Sequence, residues 1–112
     1  MSPLRITVLD AATGPLLKVA GTLDYITAPQ VHDLLTTLTL RPGGRLVIDL
    51  EHMDFCDSSG ISALIAAYNH AVAHGAVIAL AAVPVHTLRI LRLVGLDRVF
   101  AIHPDTETAT GT

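Results

Sequence analysis

The sequence predicts a single α/β domain built on a mixed, mostly parallel β-sheet. Three observations carry that prediction. After the first 27 residues, short apolar runs rich in branched residues alternate with segments of helical period, the pattern of strands joined by helical crossovers. Before them, two strand-like runs are separated only by a turn, which supplies an antiparallel pair. The chain has 112 residues, 51% hydrophobic and 15% charged, enough for one core and too few for two. We place the core at about residues 4–104 and read 105–112 as a flexible tail.

Each element follows from its residues. "LRITVLD" (4–10) alternates Leu4, Ile6 and Val8 with polar residues and predicts a half-buried strand. "AATG" turns the chain, and "PLLKVAG" (15–21) reads as the second strand of a hairpin. Thr27 and Gln30 match a capping box, with Pro29 in the first helical turn, and "QVHDLLTTLTL" (30–40) sets Val31, Leu34, Leu35 and Leu38 on one helix face. "RPGG" stops that helix, and "RLVIDL" (45–50) predicts a central strand.

After the loop-like "EHMDFCDSSG", Ile61, Leu64, Ile65, Tyr68 and Val72 repeat at helical spacing, with Gly75 at the stop position. "AVIALAAV" (76–83) is an apolar strand, "PVHTLRILRLVG" (84–95) a helix opened by Pro84, and "RVFAIH" (98–103) a short last strand. The order is β-β-α-β-α-β-α-β, with one loose helical turn allowed in the tail.

Composition removes several classes of function. The net charge is −3, Lys18 is the only lysine, and Arg89, Arg92 and Arg98 are dispersed, so the cationic footprint of a nucleic-acid binder is missing. The longest apolar run is far shorter than a membrane span, and the N-terminus has no signal-peptide pattern; a cytoplasmic protein is expected. Cys56 is the single cysteine, so it reads as a small buried apolar side chain. His70 and His74 share a helical spacing, but without an H-E-x-x-H pattern they read as solvated surface residues, and we expect no metal and no cofactor. Leu88, Leu91 and Leu93 read as core.

The chemistry concentrates in "DSSG". Asp57, Ser58, Ser59 and Gly60 stand between a strand and a helix beginning about Gly60. Two readings fit: Asp57 or Ser58 caps that helix, or a hydroxyl is modified where unpaired N–H groups and the helix dipole favour negative charge. Ser58 lacks the G-x-S-x-G elbow, and no histidine is marked as its base, so we do not expect an enzyme.

In three segments the chain resembles the STAS domain family, and within it the bacterial anti-sigma factor antagonists. "GTLDYITAP" (21–29) is similar to the family's G-x-L/I-D…T-A stretch, "DFCDSSGISAL" (54–64) to its D-S-S/T-G motif, and "LRLVGLDRVFAIH" (91–103) to its closing helix, glycine turn and strand. The resemblance implies that Ser58 is a regulatory phosphosite. It implies an anti-sigma factor serine kinase as partner, released from its sigma factor by the unphosphorylated antagonist, and a metal-dependent serine phosphatase that resets Ser58. It also implies one partner-facing surface from a "GTLD" loop (Gly21, Thr22, Leu23, Asp24), Thr27, Asp57, Ser59, Gly60 and Ile61. The alternative is a STAS module without the switch, an accessory subunit of a signalling assembly or of an ATP-driven lipid transporter. The chain departs from relatives in opening its helix with "GIS" and in its short C-terminal segment.

Overall fold

A computed structural model describes residues 3–111. Five strands form one sheet in the order β1-β2-β3-β4-β5. β1 (Arg5–Ala11) and β2 (Gly14–Leu23) make the antiparallel hairpin, and β2, β3 (Arg45–Cys56), β4 (Val77–Ala81) and β5 (Ala101–His103) run parallel. The crossovers are α1 (Ala28–Leu35), α2 (Ser58–Ala73) and α3 (Val85–Leu93), the last followed by a 3-10 turn at Leu96–Arg98; α4 (Thr106–Thr110) closes the chain. The predicted class and element order are those observed.

Alternation splits the sheet into two faces. Leu17, Val19, Leu46, Ile48, Leu50, Ile78 and Leu80 enter the large core shared with α1, α2 and α3. Leu16, Val47, Ala79 and Ala81 form a smaller cluster on the other face with Ala109 of α4.

β5 starts at Ala101 rather than 98, because Leu96–Arg98 winds into a 3-10 turn; four further differences from expectation each have a local reason. α1 stops at Leu35 because the hydroxyls of Thr36 and Thr37 donate back to the carbonyls of Asp33 and Leu34, both at 2.7 Å, and compete with helix continuation. β3 runs through the expected loop to Cys56. It carries two extra residues against β2, opposite Lys18/Ala20 and Gly21/Thr22, and these bulges break the two-residue alternation that marks a strand in sequence.

α2 begins at Ser58 and turns small residues to the sheet: Ala63, Ala67 and Ala71 are fully buried, whereas Ile65 and Val72 stand exposed on its flanks. Of the expected α3 leucines, Leu91 is core but Leu93 is 79% exposed.

The fourth difference is the C-terminus, which is docked rather than loose. Asp105 caps α4 by accepting from Thr108 N at 2.7 Å. Thr106 Oγ1 donates to Asp49 Oδ2 at 2.8 Å, and Arg45 Nη1 donates to the carbonyls of Ala109 and Gly111 at 2.6 and 3.1 Å. Ala109 is fully buried on the sheet. Ala109→Leu should therefore overpack this contact and lower stability by about 1–3 kcal/mol in urea denaturation; an unchanged midpoint would mean that α4 does not hold the sheet.

Candidate functional site

The site is built where β2 and β3 end side by side, with Leu23 paired to Cys56. Two loops leave this pole together. In the first, Asp24 Oδ1 accepts from the backbone N–H groups of Ile26 (3.0 Å) and Thr27 (3.1 Å). Thr27 Oγ1 accepts from Asp24 N at 3.0 Å and donates to the Thr22 carbonyl at 2.8 Å. This is not the expected capping box: Thr27 starts α1 without a side-chain cap, because its hydroxyl is committed to the loop behind it.

The supposed "GTLD" loop is likewise mostly strand. Gly21, Thr22 and Leu23 are buried at the end of β2, and Asp24 is only 5% exposed. Gly21 has φ +93°, and a Cβ there would collide with the Pro3 carbonyl, which gives it a structural task. What the lock presents to solvent is the pair it turns outward: Tyr25 and Ile26, 72% and 66% exposed. Sequence reasoning passed over both, although two large apolar residues directly after an Asp that folds its own turn are a usable signal.

In the second loop, Asp57 is the N-cap of α2; its Oδ1 accepts from Gly60 N at 3.0 Å, and its carbonyl accepts from Ile61 N at 3.0 Å. Asp57 N in turn donates to the Leu23 carbonyl at 3.3 Å, joining the two strand ends. Gly60 is buried against them: a Cβ there would stand 2.5 Å from Cys56 Sγ and 2.7 Å from the Leu23 carbonyl oxygen. Ile61 is buried as well, Ser59 is half-buried, and Ser58 is exposed in the first turn. The cap is thus Asp57, which leaves Ser58 free of that task. No side chain among the described residues hydrogen-bonds Ser58 Oγ; the nearest polar arrangement is Ser62 Oγ donating to the Ser58 carbonyl at 3.0 Å.

Beside Ser58 lies an open groove of about 580 Å3, with apolar walls from Ile61 and Ile65 of α2 and from Ile90, Val94 and Leu96 across it. No histidine lines it. A larger cleft of about 710 Å3 lies at the opposite pole, between the β1–β2 turn and the loop before β3, but no serine, cysteine or histidine lines it. Of the two, only the first groove is lined by serines, Ser58 and Ser62. The arrangement offers an accessible hydroxyl at a helix N-terminus, with the Asp57 carboxylate beside it engaged on Gly60 N.

The structure also settles the remaining candidates. Cys56 is buried, and desolvation, assisted by the Asp57 charge, pushes its thiol up to about 11. His70 and His74 do stack on one face of α2, ring centroids 4.5 Å apart, with His74 Nδ1 2.8 Å from the His70 carbonyl. His74 is exposed as expected, whereas His70 is half-buried and its Nε2 has no partner among the described residues.

With this geometry in hand, comparison with known proteins is decisive for the family. The model of the STAS domain matches residues 7–109. The chain belongs to the STAS domain family. Among solved structures, an anti-sigma factor antagonist from Mycobacterium paratuberculosis is 26% identical, with 95% of this chain and 90% of that chain covered and a TM-score of 0.77. The Bacillus cell fate determinant SpoIIAA in its phosphorylated form is similar at 16% identity, covering 94% of this chain and 96% of that one, TM-score 0.72. A sulfate transporter family protein from Wolinella succinogenes shares the fold at 14% identity, 85% and 80% coverage and TM-score 0.73. Among the described residues of this STAS domain, no helix is long and apolar enough to cross a membrane.

Two outcomes test the site's construction. Asp57→Ala should cost about 0.5–2 kcal/mol as a lost cap, whereas Ser58→Ala should stay within about 0.5 kcal/mol of wild type; urea denaturation of both variants separates cap from free hydroxyl. The second concerns Cys56. The folded state holds its thiol above the ordinary value of 9.0, so its stabilising contribution is present below pH 9 and is lost as pH rises towards 11. Iodoacetamide at pH 8 should label Cys56 slowly in the native protein and rapidly in urea.

Proposed function

We propose that this STAS domain is an anti-sigma factor antagonist that works as a substrate and a switch. Its unphosphorylated form binds an anti-sigma factor serine kinase and thereby frees the sigma factor; phosphorylation of Ser58 ends the complex, and a serine phosphatase restores it. One observation carries the reading. Ser58 is an exposed hydroxyl with no capping duty on the rim of an apolar groove, at the same pole as the exposed apolar pair Tyr25 and Ile26.

Physical chemistry supports a switch that needs no refolding. Phosphorylation adds roughly −1.5 to −2 charges. Gly60 N is already taken by the Asp57 carboxylate, so a phosphate on Ser58 would not displace the cap without cost and would project towards the partner. Two unit charges about 4 Å apart interact by roughly 4 kcal/mol at a surface-like dielectric. A hundredfold loss of affinity takes only about 2.7 kcal/mol. On this reading the buried residues Gly21, Thr22, Leu23, Asp24, Gly60 and Ile61 support the surface from beneath. Tyr25, Ile26, Ser58 and the groove meet the kinase.

Ser58→Asp and Ser58→Ala test the proposal. Pull-down from the native host, read by mass spectrometry, should capture a serine kinase with wild type and with Ser58→Ala but lose it with Ser58→Asp, a change of at least about tenfold, or 1.4 kcal/mol. If all three baits hold the same transporter or signalling subunits, the proposal fails and the accessory-module reading, for which the transporter-associated neighbour speaks, takes its place.

A further inference from the structure

We propose that two copies of this chain pair through the outer edge of β1, antiparallel about a two-fold axis at Thr7, to form a weak, reversible dimer with one continuous sheet. The edge is open. β1 terminates the sheet, and its packing is almost wholly against β2. The opposite edge, β5, offers only three residues.

Natural edge strands are normally protected by a central charge, a proline, a bulge or a covering element. β1 has none of these between Arg5 and Asp10: it reads Ile6, Thr7, Val8, Leu9, and it pairs with β2 in unbroken register. Val8 and Leu9 are adjacent and both exposed, 42% and 43%, on opposite faces, since Val8 pairs with the core residue Leu17 and Leu9 with Leu16 of the second cluster. Alternation alone would leave one face apolar and the other polar; here the side chains of an added strand would find an apolar neighbour on each face of the sheet.

The occupant follows from the strand's own order. The hairpin closes on Ala11 and Gly14, so the amide groups of odd-numbered residues face β2 and those of Ile6, Val8 and Asp10 face outward. Pro15, which has no N–H, sits opposite Asp10 at a position that needs none. A second β1 centred on Thr7 then sets Ile6 against Val8 of the second copy through outward-facing amides, twice by symmetry. Thr7 meets Thr7, a favoured cross-strand pair, and the Arg5 stem lies along Leu9. Centring on Val8 instead would oppose Ile6 to Asp10. Centring on Ile6 would oppose Val8 to Leu4, which lies outside β1 and is already buried, so the Thr7-centred register is the self-complementary one that β1 itself offers, as an isologous two-fold interface requires. One strand edge is small beside a standard interface of about 800 Å2 per partner, which is why the dimer is weak.

Neither Thr7 nor Val8 lines the Ser58 groove, so the test is independent of the proposed switch. Sedimentation of wild type should show a concentration-dependent dimer, and Val8→Lys should abolish it. Thr7 would occupy a non-hydrogen-bonded pair with Cα atoms about 4.5 Å apart, within disulfide reach. Thr7→Cys should form a linked dimer under mild oxidation; Val8→Cys, displaced by two residues from its counterpart, should not. Cys56 is buried and adds no background. A wild type that remains monomeric at about 1 mM, a dimer unaffected by Val8→Lys, or cross-linking through Val8→Cys in place of Thr7→Cys would each overturn the proposal.

Discussion

The close approach of Gly60 to the end of β2 is the constraint on which the rest of the pole depends. A Cβ at that position would stand 2.7 Å from the Leu23 carbonyl oxygen, which itself accepts from Asp57 N. Only a residue without a side chain lets α2 start directly over the β2–β3 seam. Because it starts there, Asp57 can reach back to cap the helix, and Ser58 falls at the first exposed turn. Asp24 and Thr27 lock the neighbouring loop against the same strand end. Two loops from different parts of the chain thus present their outward residues side by side on a rigid base.

That base also explains the division of labour within the motif. Asp57 carries the cap, Gly60 carries the packing, Ser59 is half-buried, and Ser58 is the exposed member whose hydroxyl serves neither task. A group that is modified must be reachable and must not be needed for folding, and the arrangement separates those demands residue by residue. The cost of burying acidic Asp24 is met by its hydrogen bonds to two backbone N–H groups.

The fold was legible because its elements obey simple periods: the hairpin, the apolar core of β3 at 46–50, and the alternation of strands with helices all survive in the structure. What was not legible are the places where a local interaction overrides the period. The bulges of β3 scramble alternation after Asp49, and threonine back-bonding cuts α1 short. α2 packs through alanines, which an apolar-period count undervalues against Ile65 and Val72. The short α4 depends on Arg45 and Asp49, more than fifty residues away, and no window of the sequence contains that contact. At the site, the D-S-S-G motif was visible, but the choice of Asp57 over Ser58 as cap needed geometry, and so did the exposure of Tyr25 and Ile26.

The identity of the cap bears directly on how a phosphoryl group would act. Were Ser58 the cap, modification would remove a helix-terminal bond and its effect would pass through local unfolding. With Asp57 on Gly60 N, the helix keeps its cap whatever happens to the neighbouring hydroxyl. Added charge would then stand beside the Asp57 carboxylate and the apolar groove, with only the first-turn N–H groups and the helix dipole to favour it. On the proposed reading the fold would stay as it is and the new charge would belong to the surface. A partner that buries Tyr25, Ile26 and the groove would have to desolvate that charge in order to bind. On the proposed reading the discrimination would reside in the interface rather than in a second conformation, which suits a domain whose caps and C-terminal latch are held by direct hydrogen bonds.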